Sequence, residues 1–438
     1  FATDVITGGP TYVLGYLDVP HGADGLPEYK GPYKGGASQA DFDKAVTCDG
    51  NKLTMHFNQP WADLPLAVAA LRSFDPYRKD KDEGDKNNYV VFSNGPYKLD
   101  GKWNPNGGGT FVRNTEYDPK SDETGTRKAL PDKIVYTQGD TDEVIYDRLI
   151  ADSGDDQFAV TDRRIPPAYY TQITGAVEDR STLLDTPYVD YWVPNFKKVT
   201  NLKVRQALML ATNAQGYLTA LGGPNAGAVA KSVVSPTLVG YQDNPNFTQP
   251  PEGDPEAAKA LLEESGEQTP YPLKVTYQSG TPSLDKSAGA LADTWTKAGF
   301  KVTLDPQVET FYTVIQKPSA DFDAVIAGWA ADWPSQAAVL PPLFDSRINL
   351  VSSETNGSDY GNFQSDTVNK LIDEAAAIPD VEEAGKKWAA VDDQLGKEVA
   401  YVPLRTIKYY YLNGSKVTGF LGSPNTGVVD LGVVGVEN

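Results

Sequence analysis

Cysteine occurs once, at Cys48, and histidine twice, at His21 and His56. One thiol excludes an internal disulfide and any thiolate-rich metal site. Two imidazoles leave little from which to build a histidine metal centre. No run approaches the roughly 18 to 20 apolar residues of a membrane span. Positive charge is also scarce: 39 Lys and Arg stand against 59 Asp and Glu, a formal charge of −20. Duplex DNA and anionic membrane surfaces both require clustered cations, so neither is an expected partner. The same balance suits cationic ligands and high solubility. The opening residues Phe1, Ala2, Thr3 and Asp4 carry no basic stretch, apolar core or cleavage signal.

Catalytic signatures are missing too. There is no G-x-S-x-G elbow, no G-x-x-x-x-G-K-[ST] phosphate loop and no G-x-G-x-x-G after a strand. Gly107, Gly108 and Gly109 precede no helical pattern and read as a hairpin turn. His56 sits in an alternating strand and reads as a surface imidazole, Cys48 as a small semi-buried thiol, and His21, in a Gly-rich loop, as solvated. The acids around Asp140–Glu143 and Asp152–Asp156 lack the twelve-residue spacing of a calcium loop and read as helix caps and solvated turns. Many carboxylate pairs could be drawn for glycoside hydrolysis, but nothing singles out two of them. No catalytic residue, metal site or cofactor is expected.

What is present is a foldable chain. The 438 residues are 40% hydrophobic and 11% aromatic, enough for a sizeable core in two or three domains or one bilobed body. The first half reads as short strands cut by turns: residues 52–57, 95–99, 109–113 and 134–136, then a helix over 142–152. The charged stretch 78–88 reads as solvated loop.

The second half changes rhythm. Asp254 and Pro255 start a helix that Gly266 ends, a strand covers 273–277, and Leu284, Ala288, Leu291 and Trp295 mark a second helix ended by Gly299. With the strand at 300–304 this is a crossover unit, hence an α/β layer. A buried strand follows over 322–329. Two later helices carry Val368 to Ala375 and Val381 to Leu395, and strand-like sequence returns over 402–412. The shift near residue 190 and its reversal near 405 suggest a discontinuous lobe. Residues 1–190 form a first lobe, 191–404 a second, and 405–438 return to the first. Chain crossings near 188–193 and 401–405 would then make a hinge over a ligand cleft.

One segment stands out: Ala327-Gly328-Trp329-Ala330-Ala331-Asp332-Trp333-Pro334. A hydrophobic strand runs into a turn bearing two indoles and one carboxylate. In one reading the tryptophans are core and Asp332 caps the next turn. In the other, Asp332 sits at a cleft mouth as the anion for a ligand ammonium, between Trp329 and Trp333 as apolar or cation–π walls. Arg205 and Arg347 are weaker candidates for a ligand carboxylate, and Arg205 reads better as a structural residue at its helix.

These residues resemble the extracytoplasmic solute-binding proteins of peptide-type ABC importers, the dipeptide, oligopeptide and nickel-binding family (solute-binding family 5). The stretch from Asp49 to Trp61 looks like the family's "dgktltfhL..P" strand, and Ser93 to Leu99 like "GtGPYkl", with Val112-Arg113-Asn114 as "vrN". Asn201 to Leu208 is similar to "d.rVRqAl", Asp254 to Leu262 to "dpekAkaLL", Gly328 to Asp332 to "GW.aDy", and Tyr401 to Leu404 to "yiPL". The six pieces occur in family order along essentially the whole chain. The resemblance implies an α/β, two-lobed, periplasmic-binding-protein-like fold with a hinge of two crossing strands and the ligand in the inter-lobe cleft. It implies that Asp332 pairs with a peptide's α-ammonium, supported by the backbone around Ala330 and flanked by Trp329 and Trp333. It further implies no catalysis, and a monomeric lipoprotein or periplasmic protein outside the cytoplasmic membrane. That protein would deliver peptides or other small cationic or zwitterionic solutes to an ABC permease and its ATPase subunits.

Two departures stand against the pattern. Trp333-Pro334-Ser335-Gln336 replaces the family's "ypDP" and loses its second acid. The chain also begins well into the family's first lobe, so an N-terminally truncated lobe is expected. Competing expectations are an extracellular acidic carbohydrate-active hydrolase and a surface receptor using the same lobes for protein contact.

Overall fold

The computed structural model describes residues 12–22, 27–31, 38–71, 74–75, 78–87, 89–90, 92–349, 355–423 and 426–437. Residues 1–4 and Asn88, mentioned above, lie outside the described residues. Helices α1 (Tyr12–Tyr16) and α2 (Gln39–Ala45) lead into the hairpin β1 (Val46–Asp49) and β2 (Lys52–Met55), and α3 (Leu64–Ala70) follows. Alternation turns Met55 and Phe57 inward onto a small core of Leu17, Val19 and Ala45. Leu53 has the same parity but sits near the hairpin tip and stays exposed. Cys48 pairs with it there and is exposed, not semi-buried as expected. His56 is exposed. His21 is more than solvated: its Nε2 lies 3.1 Å from the Leu14 carbonyl oxygen.

Strands β3 (Tyr97–Leu99), β4 (Gly109–Arg113) and β5 (Lys133–Tyr136) form an antiparallel sheet. The turn entering β4 needs glycine: Gly108 has φ +91°, and a Cβ there would sit 2.0 Å from the Tyr136 carbonyl oxygen. Helix α4 (Asp142–Ala151) starts where the Thr141 side chain accepts from the Val144 amide and stops at the left-handed Asp152.

The second half is built on one six-stranded sheet. Its chain order begins with β6 (Ser181–Pro194), α5 (Leu202–Leu210), α6 (Ala214–Ala220) and β7 (Gly227–Val229). Next come α7 (Pro255–Glu264), β8 (Tyr271–Gln278), α8 (Pro282–Lys297) and β9 (Phe300–Gln307). Then follow α9 (Phe311–Ile315), β10 (Ala324–Ala330), α10 (Leu340–Phe344), α11 (Ser346–Asn349), α12 (Asp366–Ala376) and α13 (Val381–Glu398). Strand β11 (Val402–Leu412) and the short pair β12 (Val417–Thr418) and β13 (Gly435–Val436) close the described chain. The strand order is β7-β11-β6-β10-β8-β9. The β8–α8–β9 crossover pairs its strands in parallel, as its sequence pattern requires. Asp254 and Thr281 cap α7 and α8 through side-chain acceptors, and Gly299, at φ +96°, turns the chain from α8 into β9. Beneath the sheet Trp192 and Trp295 meet edge to face at 6.0 Å, both fully buried.

The crossing strands are β6 and β11, paired antiparallel from Trp192↔Val402 to Ser181↔Leu412. At one end Tyr191, Trp192, Val193, Val402 and Leu404 belong to the main core. At the other, alternation splits the tyrosine run between two smaller cores. Tyr410 and Leu412 pack with Tyr146, Leu149 and Ile165, whereas Tyr409 and Tyr411 pack with Phe420 and Val434. The register slips at Pro403/Arg405 and Thr406/Lys408, so the ribbon is irregular where it passes between cores, as bulges make it.

Candidate functional site

Strand β10 is buried along Ala324 to Ala327 and emerges at Gly328. Trp329 and Ala330 are half-buried and pair with Val189 and Tyr188 of β6. The Trp329 indole donates to the Ala338 carbonyl at 2.9 Å, which fixes its ring against the main core. Asp332 is exposed and accepts the Tyr12 hydroxyl of α1 at 2.5 Å. Surrounding protein pushes its carboxyl above the ordinary carboxylate range, and the Tyr12 bond pulls the other way. The Tyr12 phenol is driven far up by burial and by the facing Asp332 charge. Asp332 therefore lies on a seam where the N-terminal segment meets the α/β lobe.

Trp333 departs from the expected role of cleft wall. It is 2% exposed, donates to Asp63 Oδ2 at 2.8 Å, and meets Tyr12 and Trp61 edge-on at 4.9 and 6.1 Å. Its ring fastens the seam from inside and presents no face to a solute. The turn-capping role weighed for Asp332 falls instead to Ser335, whose side chain accepts from the Ala337 amide.

A cavity of about 1660 Å³ is lined by none of these seam residues. The first-half residues 134–149 and 159–170 form one wall, and residues 220–226 with the start of α8, Thr281 to Lys286, form the other. Arg405, Ile407, Lys408 and Tyr410 of β11 make the floor. Asp332 and Trp329 are not among the lining residues, and Asp332 lies just past the end of β10. Arg405, Asp190 and Gly328 are register partners across β11, β6 and β10, so Arg405 lies only about 10 Å from the strand that leads to Asp332.

Asp190 and Arg405 were missed by sequence reasoning. Arg405 donates through Nε at 2.9 Å and Nη2 at 2.7 Å to Asp190 Oδ2, and the Tyr217 hydroxyl of α6 joins at 3.1 Å. The two partners are 215 positions apart, and neither carries a local signal; only the predicted pairing of the two crossings could have brought them together. The arginines that were weighed are structural. Arg205 donates to the Val199, Thr200 and Glu398 carbonyls, and Arg347 chelates Asp345 and Asp373. Asp140 and Asp156 both pair with Arg148. Among the described residues no His, Cys, Asp and Glu group could hold a metal ion.

Residues 23–350 match the bacterial extracellular solute-binding proteins, family 5 (middle region). The chain belongs to that family. Among family 5 relatives, the dipeptide-binding protein of Escherichia coli is 27% identical over 202 residues, 45% of this chain and 36% of its own length. The periplasmic oligopeptide-binding protein of Salmonella typhimurium is 31% identical over 170 residues, 38% of this chain and 28% of its own. The matched stretch thus spans about a third of these curated relatives. In three dimensions the clavulanic acid biosynthesis oligopeptide binding protein 2 superposes with a TM-score of 0.87 at 24% identity, over all of this chain and 78% of that one. That likeness establishes the two-lobed α/β fold expected from sequence. None of these findings supports the carbohydrate hydrolase. No described helix is long and apolar enough to cross a membrane.

Proposed function

We propose that this family 5 protein is the substrate-binding component of an ABC importer, taking up peptides or related amine-bearing small solutes outside the membrane. The observation that carries this reading is the 1660 Å³ cavity walled by both halves of the chain and floored by a crossing strand. Bilobed binding proteins close over a solute in that way. In this reading the lobes divide at 1–190, 191–404 and 405–438, and their motion is accommodated where β11 slips register against β6. The protein binds without turning its ligand over, acts as a monomeric lipoprotein or periplasmic protein, and passes the solute to a permease driven by separate ATPase subunits.

Asp332 takes the ligand ammonium. Two features support this: its carboxylate is partly desolvated, and it already holds a donor, the Tyr12 hydroxyl, in the place an N–H group would take. Trp329 and the backbone at Ala330 flank that position, while Trp333 supports it from below. Extended peptides held through backbone hydrogen bonds would be accepted with broad side-chain tolerance. A hydrogen bond to a charged group is worth about 1.5 to 3 kcal/mol, so Asp332→Ala is expected to weaken tripeptide binding at least tenfold by calorimetry. Unchanged affinity would remove Asp332 from the site.

A further inference from the structure

Residues 355–363 carry a buried carboxyl that the solute site does not use. Asp359 is 2% exposed, and its Oδ2 has no hydrogen-bond partner among the described residues. The Tyr191 hydroxyl of β6 is buried and unpartnered in the same way. Both groups lie on one face of that strand. A Cβ on Gly361 would sit 3.7 Å from Val193 Cβ and 3.8 Å from Asp359 Oδ1, and Val193 shares its face with Tyr191. Orphaned buried oxygens are rare in native proteins. A hydrogen bond between these two, direct or through one water, would satisfy both, and burial decides the charge state in which it forms. Desolvation raises the Asp359 carboxyl to about 7, against the Phe363 and Gly361 amides, the Lys197 charge and the Asn362 amide. Lys197 comes from the segment after β6, and its Nζ donates to the Pro318 carbonyl at 3.4 Å. Tyr191 is faced in turn by Tyr360 of the same loop, Tyr312 of α9 and Asp190, the last held by Arg405. The loop also reaches the seam. Tyr360 is buried, meets the Tyr312 ring at 6.1 Å and faces the Tyr12 phenol that holds Asp332.

We propose that Asp359 is a proton switch for solute capture: the neutral acid locks loop 355–363 onto β6 through the Tyr191 hydroxyl, and its ionisation frees the loop and withdraws Tyr360 from the Tyr12–Asp332 contact. The assignment rests on the solute-binding reading and adds its regulation by pH. An ionised carboxylate at this depth recovers its hydration only if the loop lifts off the strand, and the released proton goes to solvent. The backbone ties of the loop are few enough to allow that movement: the Asn356 amide donates to the Gln316 carbonyl at 2.7 Å, and the Phe196 amide to the Gly361 carbonyl at 2.8 Å. Solute then selects the locked state, which low pH populates.

Calorimetry with Ala-Ala-Ala at pH 6 and pH 8, on the full chain and on Asp359→Asn, tests this. With ionisation near pH 7 the neutral fraction falls from about 90% to about 10%, so wild-type affinity should fall about tenfold. Asp359→Asn, which stays neutral, should lose only the roughly twofold that the peptide's own amine accounts for. Equal pH dependence in the two proteins overturns the switch while leaving peptide binding intact. Hydrogen exchange of residues 355–369 without ligand, corrected for the intrinsic chemical rate, reads the lock by itself. Wild type should lose protection between pH 6 and pH 8, and Asp359→Asn should keep it. Wild-type protection that does not change with pH overturns the lock whether or not peptide binds. Should peptide bind at neither pH, the solute-binding reading fails, while a loss of protection confined to wild type still sustains the lock.

Discussion

Replacing Asp190 with alanine would strip the counter-ion from a largely buried arginine. The Arg405 and Asp190 side chains are 12% and 13% exposed, and two guanidinium nitrogens and the Tyr217 hydroxyl all converge on Asp190 Oδ2. Space is tight on the other side as well, since a Cβ at Gly328 would approach Asp190 Oδ1 to 3.0 Å. Breaking a buried pair by removing one partner costs about 3 to 5 kcal/mol, because the remaining charge stays desolvated. That is a large share of a typical folding free energy of about 5 to 15 kcal/mol. Urea unfolding followed by circular dichroism should show the loss as a lower midpoint. Replacing both partners, Asp190→Ala with Arg405→Met, should recover most of it, because no charge is left buried. If Asp190→Ala stays within about 1 kcal/mol of wild type, the pair is solvated in solution and the burial argued for it is wrong.

Asp359 is 2% exposed, one of its carboxylate oxygens lacks a partner, and burial raises its carboxyl to about 7 against donated backbone bonds from Phe363, Gly361 and Asn362. The unfolded chain gives up this proton near pH 4, so stability is fullest below that point and falls as pH rises to about 7. Asp359→Asn should therefore gain about 1 to 3 kcal/mol over wild type at pH 8 but little at pH 4; a difference independent of pH contradicts this. Trp333→Phe leaves Asp63, 3% exposed, without its indole donor, at a cost of about 1 to 3 kcal/mol in urea unfolding. The same variant should keep any ligand-induced change in tryptophan emission, and Trp329→Phe should lose it; the opposite pattern would return Trp333 to the cleft wall.

Much of the second lobe was legible because local chemistry and global fold agree there. Asp254 and Gly299 punctuate α7 and β9 where the side chain and the φ angle demand it, and the apolar spacing of Leu284, Ala288, Leu291 and Trp295 lies on the buried side of α8. Tyr409, Tyr410 and Tyr411 divide between two cores by simple alternation. The site was less legible, since its contacts are long-range. Tyr12 and Asp332 lie 320 positions apart, and Trp333 and Asp63 lie 270 apart. An indole next to an acid at a strand end looks the same in sequence whether it faces solute or packs under it. Cys48 was misjudged for a related reason: hairpin strands bury one face only where a neighbour covers them, and none of the described residues covers the tip.

Bound solute can be identified directly. Native mass spectrometry of the protein as purified, followed by denaturation, should release a small molecule carrying both a primary amine and a carboxylate, and Asp332→Ala should lose it. Release of an uncharged sugar, or of the same molecule in equal amount from Asp332→Ala, would contradict the assignment of an amine-bearing solute to Asp332.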